Sequence, residues 1–362
     1  MRWRLWRLLA AACFGLAVAG LSAPAPSSSA TFAAPTVQRM IGQKLVVSMD
    51  GTTPSASLLR RARRGRIGGV LIHRSNFGSA AHLRAVTRSL RRAAAAGGRP
   101  RLLIAVDQEG GSVKTVPWIP PTLSPPQMGA RGSSHTARRQ GRRTGSALRD
   151  VGVNTDFAPV ADVPSSPSSF MYLQDRTWSF SAAKTARLAN AFALGLADRN
   201  ALATMKHFPG LGFAKRNTDT SVVRIAATRA QLAPGLRPYR RAVADSVPLV
   251  MLSNAVYKAY DRHNAAAWSR AIGTGLLRGT LGFRGVTITD ALDGAAAARG
   301  IAPSGLAVRA AAAGTDMILL SGSEATSRSV YRSLVDAASA GRIPTARLRA
   351  SYERIVALER GL

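Results

Sequence analysis

Leu102-Leu103-Ile104-Ala105-Val106-Asp107-Gln108-Glu109-Gly110-Gly111 is an unbroken apolar run stopped by two carboxylates and a glycine pair. A run this short, without alternation and ended by turn residues, reads as a strand buried on both faces. Seven further stretches share its texture: Lys44–Asp50, Gly69–His73, Asn154–Val160, Leu202–His207, Pro248–Ser253, Gly285–Asp290 and Asp316–Leu320. Ala-, Leu- and Arg-rich stretches of helical spacing separate most of them, at 78–96, 181–199, 264–280 and 303–313. Two more, 324–340 and 345–361, close the chain. Alternation of this kind builds parallel βαβ units. Eight strands over roughly 290 residues fit a single-domain α/β fold of the (β/α)8 TIM-barrel type. An open Rossmann-like sheet is the alternative, but no Gly-x-Gly-x-x-Gly follows the first strand.

The runs end in polar residues: Asp50, His73, Asp107, Glu109, Asp162, Lys206, His207, Asn254 and Asp290. In a barrel these C-terminal strand ends form the rim of the active site, although any one of them could simply cap its strand. Three patterns stand out. Asp107 in Val106-Asp107-Gln108-Glu109-Gly110-Gly111 is placed to accept hydrogen bonds from hydroxyls. Lys206-His207-Phe208-Pro209-Gly210 sets a cation beside an imidazole, a clamp for a polar ligand. Asp290, with an apolar strand behind it, suits a nucleophile or a metal ligand. A metal centre is not expected: the five histidines show no His-x-x-x-His, and the one cysteine is Cys13. No Gly-x-Ser-x-Gly or phosphate-cradling loop is present, and no cofactor is implied.

Charge is lopsided: 50 basic residues, 44 of them Arg, stand against 18 acidic ones, a formal +32 in 362 residues. Such a number suggests nucleic acid, a polyanionic surface, or merely an Arg-rich composition. Aromatic residues are only 6% and do not interleave with the basic runs Arg60–Arg66, Arg138–Arg143 and Arg237–Arg241. Those runs read as solvated outer helix faces, and no nucleic-acid partner is expected. Arg2, Arg4 and Arg7 precede the apolar run Leu8–Leu21, and small residues follow. This is the layout of a secretory signal, with residues 1–30 as signal and linker and 31–362 as the barrel domain. The alternative is an uncleaved membrane anchor over residues 8–21; a lipoprotein reading through Cys13 is weaker, because the apolar run mostly follows the cysteine. The mature protein is expected to be extracytoplasmic and monomeric, with an anionic wall or envelope as a candidate surface.

Several of these stretches together carry a family resemblance: Ile41-Gly42-Gln43-Lys44, Gly68-Gly69-Val70-Leu71-Ile72, Ala105-Val106-Asp107-Gln108-Glu109-Gly110-Gly111, Asp156-Phe157-Ala158-Pro159-Val160-Ala161-Asp162-Val163, Asp175-Arg176, Lys206-His207-Phe208-Pro209-Gly210 and Gly285-Val286-Thr287-Ile288-Thr289-Asp290. In this order the chain resembles the single-domain members of glycoside hydrolase family 3, the β-N-acetylhexosaminidase type. The resemblance implies a barrel and retaining hydrolysis of a terminal β-linked sugar. It implies Asp290 as nucleophile, Asp107 as a binder of sugar hydroxyls, and Arg176, Lys206 and His207 as residues holding the sugar and its N-acetyl region.

Three positions depart from the family pattern. Ser112 and Thr115 stand where the family has arginines, and Ser221 replaces the acid/base His of an Asp-Ser-His loop. A serine cannot supply a proton to a leaving group as an imidazole can. With four glutamates in the chain, three of them near its end, Asp219 is the best remaining protonatable group in the loop. Retaining chemistry would need its carboxyl about 5–5.5 Å from that of Asp290. The expected function is an exo-acting retaining β-glycosidase on β-N-acetylglucosaminides or related carbohydrates. The alternatives are a catalytically weakened sugar- or peptidoglycan-binding homologue and transfer to another acceptor such as phosphate.

Overall fold

The structure, a computed structural model, describes residues 35–98 and 101–362. The expected signal segment and anchor stretch lie outside the described residues. Eight parallel strands form one sheet: β1 (Leu45–Ser48), β2 (Gly69–Leu71), β3 (Leu103–Val106), β4 (Thr155–Asp156), β5 (Leu202–Phe208), β6 (Leu249–Leu252), β7 (Val286–Thr289) and β8 (Ile318–Leu320). Each neighbours its successor, and β8 pairs back onto β1 with Leu45 opposite Ile318. A bridge between Ile288 and Met317 brings β7 to β8, through Thr289 N–H to Met317 O at 3.1 Å and Met317 N–H to Thr287 O at 2.8 Å. The sheet is therefore a barrel.

An outer helix follows each strand: α2 (Ala56–Arg63), α3 (Ala80–Ala96), α4 (Ser134–Asp150), α5 (Ala182–Ala197), α6 (Arg237–Ala244), α7 (Ala271–Thr280), α8 (Pro303–Ala313) and α9 (Glu324–Ser339), with short helical turns such as Leu292–Ala297 in the connections. Helix α1 (Val37–Gln43) precedes β1 and α10 (Thr345–Arg360) closes the chain. Serines or threonines cap α1, α2, α3, α4, α5 and α9 by accepting a hydrogen bond from the N3 backbone N–H, which is why these helices begin where they do. Two elements differ from expectation. Strand four is regular only over Thr155–Asp156, because Pro159 has no N–H to give; pairing resumes at Val160 opposite Lys206. The helix expected over 264–280 is a short 3-10 turn, Ala266–Trp268, followed by α7 with π-type i→i+5 bonding. Glycines 273, 275 and 279 weaken its preference for the tighter α form.

Strand parity explains what reaches the rim. Val46, Leu71, Leu103, Ala105, Leu249, Met251, Val286, Ile288 and Leu319 pack together inside the barrel. Their alternates Leu45, Val47, Val70, Ile104, Val106, Val250, Leu252, Ile318 and Leu320 pack outward under the helices. Side chains two positions on share a face. Hence Ser48, His73, Asp107, Ser253, Asp290 and Ser321 all continue the inward rows at the C-terminal end.

Candidate active site

The first group at that end is an ion cluster. Lys206 Nζ lies 2.6 Å from both Asp107 Oδ1 and Glu109 Oε1. Arg176 grips Glu109 with two parallel bonds, Nη2 to Oε1 at 2.7 Å and Nε to Oε2 at 2.8 Å. Lys206 and Glu109 are buried. Burial alone would push the Glu109 carboxyl up, but Arg176 and Lys206 reverse this and hold it at about 2. Lys206 is discouraged by burial yet ends above the ordinary lysine value because Asp107 and Glu109 flank it. Both charges are thus fixed throughout the neutral range. Beneath them Asp156 is fully buried, accepts the Gln108 N–H at 3.0 Å, and is pushed well up by desolvation.

The second group orients the imidazole. Asp162 is wholly buried, and its Oδ2 sits 2.7 Å from His207 Nδ1. Its Oδ1 accepts the backbone N–H of Leu211 at 2.6 Å and of His207 at 3.3 Å. One carboxylate therefore fixes both the ring and the loop that follows β5. The Lys206–His207 and Phe208–Pro209 peptide bonds are cis.

The third group is a pair of carboxylates. Asp290 stands at the end of β7, its Oδ1 accepting the Ala291 N–H at 2.8 Å. Asp219 lies in the loop after β5, with Asp290, His207, Arg176 and Asp107 as the charged groups around it. Asp219 is exposed, yet partial desolvation first, then the negative charge of Asp290, raises its carboxyl to about 6; His207 and Arg176 pull the other way. Among the described residues no cation forms an ion pair with either carboxylate. The loop is seated by close backbone contact. A β-carbon on Gly294, in the helix Leu292–Ala297 that follows Asp290, would fall 2.7 Å from Asp219 O and 3.0 Å from its Cβ. Only glycine lets the two segments approach so closely.

The chain from residue 36 to 358 matches the sequence profile of the glycosyl hydrolase family 3 N-terminal domain. The protein belongs to glycosyl hydrolase family 3. A protein of Arthroderma benhamiae described as an uncharacterized secreted glycosyl hydrolase is 34% identical over 327 residues, 88% of this chain and 92% of its own. Among solved structures, a family 3 β-N-acetylglucosaminidase from Paenibacillus sp. superposes with a TM-score of 0.86 at 30% identity. That match covers 91% of this chain, which spans 63% of the Paenibacillus chain. A β-N-acetylhexosaminidase from Beutenbergia cavernae gives a TM-score of 0.82 at 31% identity, covering 90% of this chain and 99% of that one. As a glycoside hydrolase the protein acts on carbohydrate.

In this family 3 hydrolase the six sequence-selected residues, Asp107, Arg176, Lys206, His207, Asp219 and Asp290, converge at one barrel end. Two others needed the structure. Glu109 joins Arg176 to Lys206, and Asp162 holds His207; both stand at strand ends, and the signal was the surplus of rim cations needing partners. Glu109 is no spare acid, since two cations hold it ionised. Asp50 is engaged elsewhere, accepting the Glu324 N–H at the start of α9. Ser112 and Thr115 do not replace arginines chemically. Ser112 Oγ reaches only Gln174 O at 3.4 Å, while Thr115 Oγ1 donates to Asp107 O at 3.0 Å and steadies that turn. His73 is tied to Ser48 Oγ at 2.7 Å. Among the described residues no three His, Cys, Asp or Glu side chains converge as metal ligands.

Proposed function

We propose that the protein removes terminal β-N-acetylglucosaminyl or related β-glycosyl residues by double displacement with retention. Asp290 attacks the anomeric carbon while the bond to the leaving oxygen breaks, and Asp219 gives that oxygen its proton. Water then attacks the glycosyl ester, returning a proton to Asp219 and releasing Asp290. One observation carries the reading: Asp219, exposed at the lip of the site, has its carboxyl raised to about 6 by partial desolvation and by the negative charge of Asp290. A carboxyl raised beside a second carboxylate is what a proton donor next to a nucleophile requires. Asp107, Arg176, Lys206 and His207 supply fixed donors and acceptors for the sugar hydroxyls and the N-acetyl region. The names of the Paenibacillus and Beutenbergia enzymes support the hexosamine preference. The secreted relative and the leader-like Arg2–Leu21 stretch support an extracytoplasmic site, where the basic surface would favour an anionic wall or envelope. No helix among the described residues is long and apolar enough to cross a membrane.

An aryl β-glycoside panel with good leaving groups, N-acetylglucosaminide first, tests this, with NMR of the first-formed sugar. Turnover giving the β-hemiacetal first is expected. An α-hemiacetal would overturn retention. Saturable binding of chitin or muropeptide fragments with no turnover on any substrate would overturn hydrolysis.

A further inference from the structure

Arg60, Arg61, Arg64, Arg66, Arg328 and Arg332 line one cleft of about 230 Å³ between α2 and α9, with Ser57 and Tyr331 completing its wall. The basic run Arg60–Arg66 is therefore not simply a solvated helix face, because Arg61 is buried, with 7% of its surface exposed. Arg61 Nη1 donates to Ser327 Oγ at 2.8 Å, but the buried Nη2 has no hydrogen-bond partner. A buried guanidinium donor left unpaired costs free energy on the order of 1–3 kcal/mol or more, so its retention calls for an explanation.

Local charges do not provide one. Glu324 is the carboxylate facing this group: its Oε2 accepts Ser55 Oγ at 2.7 Å and lies 3.8 Å from Arg328, while its buried Oε1 has no hydrogen-bond partner and forms no ion pair with Arg61. Burial first, then the neighbouring guanidinia of Arg328 and Arg66 against the pull of Glu324, brings Arg61 down to about 10. Six guanidinia against one carboxylate leave a concave site with a strong surplus of positive charge. The larger arginine cleft on the barrel flank, about 440 Å³ around His135, Arg138, Arg139, Arg142, Arg143 and Arg199, differs on this point. There Asp198 takes Arg138 in two bonds of 2.8 and 2.9 Å and also faces Arg142 and Arg199.

We infer that the α2–α9 cleft is a binding site for a compact, multiply charged oxyanion: a phosphate dianion or the phosphoryl end of a small phosphomonoester. Planar guanidinia match phosphate oxygens through paired N–H donors, and a cavity of this size admits a phosphoryl group rather than a folded polymer. Arg61 gives the site a donor preorganised by packing and by Ser327, while Arg60, Arg64 and Arg332 close from the rim.

Thermal unfolding of the full chain in inorganic phosphate, against sodium chloride at matched ionic strength, reads the site. A ligand held at many times its dissociation constant should raise Tm by about 2–4 °C. The rise should vanish in Arg64→Ser/Arg332→Ser, which leaves the buried Arg61 and the fold in place, and persist in Arg139→Ser/Arg143→Ser on the other cleft. Glycerol 1-phosphate matching phosphate would identify a monoester as an acceptable occupant; failure of the monoester alone would confine the site to the free anion. Equal shifts with chloride, or a shift surviving Arg64→Ser/Arg332→Ser, would overturn the proposal in favour of diffuse screening of a basic surface.

Discussion

The two ends of the barrel both bury charge, but they balance it differently. At the N-terminal end one carboxylate, Asp316, is fully buried and completely engaged. Arg278 Nη2 donates to its Oδ2, which also accepts the Thr287 N–H at 2.8 Å. Its Oδ1 takes Arg354 Nη2 at 2.7 Å and Ser351 Oγ at 2.7 Å. Lys44 completes the group through Thr315 O at 2.7 Å and Ser351 Oγ at 2.8 Å. Burial drives Asp316 upward, but Arg278, Arg354 and Lys44 bring it below its ordinary value. At the C-terminal end the cluster of Asp107, Glu109, Arg176 and Lys206 is balanced in the same way, but two carboxylates at the open rim, Asp219 and Asp290, are left over, and the fully buried Asp156 beneath the cluster also has no ion-pair partner. Where carboxylate and cation cancel, charge holds the fold. Where carboxylates remain in excess, it is available for chemistry.

That contrast can be broken at several points. Replacing Asp290 with Ala should lower kcat/KM by on the order of 10⁵-fold, the scale of losing a covalent nucleophile, with the Tm nearly unchanged. Asp219→Ala should cost about 10²–10⁴-fold on substrates with poor leaving groups and far less on activated aryl glycosides. Its proton affinity sets the sign of the pH dependence: the acid is protonated below about 6, so kcat/KM on poor leaving groups falls as pH rises through that value. The variant should lose that limb in a pH–rate profile.

At the opposite end, Asp316→Asn should destabilise by about 3–5 kcal/mol in chemical unfolding, because two guanidinia lose a buried partner. Its kinetic constants at temperatures where it is folded should match the parent. A kinetic loss there comparable to that of Asp219→Ala would dissolve the distinction. The smallest effect separates the balanced part of the rim from its reactive part. Glu109 is held at about 2 in the folded chain against 4.5 when free. It contributes stability above pH 4.5 that is lost as pH falls toward 2, on the order of 3 kcal/mol. Glu109→Gln should therefore flatten the acid side of the stability–pH curve, measured by urea midpoints.

Much of this was readable in the chain. Apolar runs without alternation, each ended by a polar residue, placed all eight strands and most of the rim, because burial on both faces leaves few other readings. The scarcity of carboxylates singled out Asp219. What escaped depends on pairing across the barrel. Glu109 and Arg176 are 67 residues apart in sequence, and nothing local tells that they meet. Arg61 looks like every other arginine of its run, since burial of one helix position depends on how α9 packs beside it. The seating of the Asp219 loop needs Gly294 at one particular approach, which spacing does not reveal. Pro159 and the glycines of α7 were visible as residues, but their local cost had to be weighed against tertiary packing.

Parity has a consequence for redesign. Around the adjoining strands β8, β1 and β2 the inward row ends in Ser321, Ser48 and His73, which are neutral or weakly charged. The ion cluster occupies the neighbouring arc from β3 to β5. On that side of the rim Ser48, His73 and Ser321 take part in no ion pair among the described residues, so their side chains can be exchanged without breaking a salt bridge. Altering substrate range should begin on that arc, and the charged arc should be left as it is.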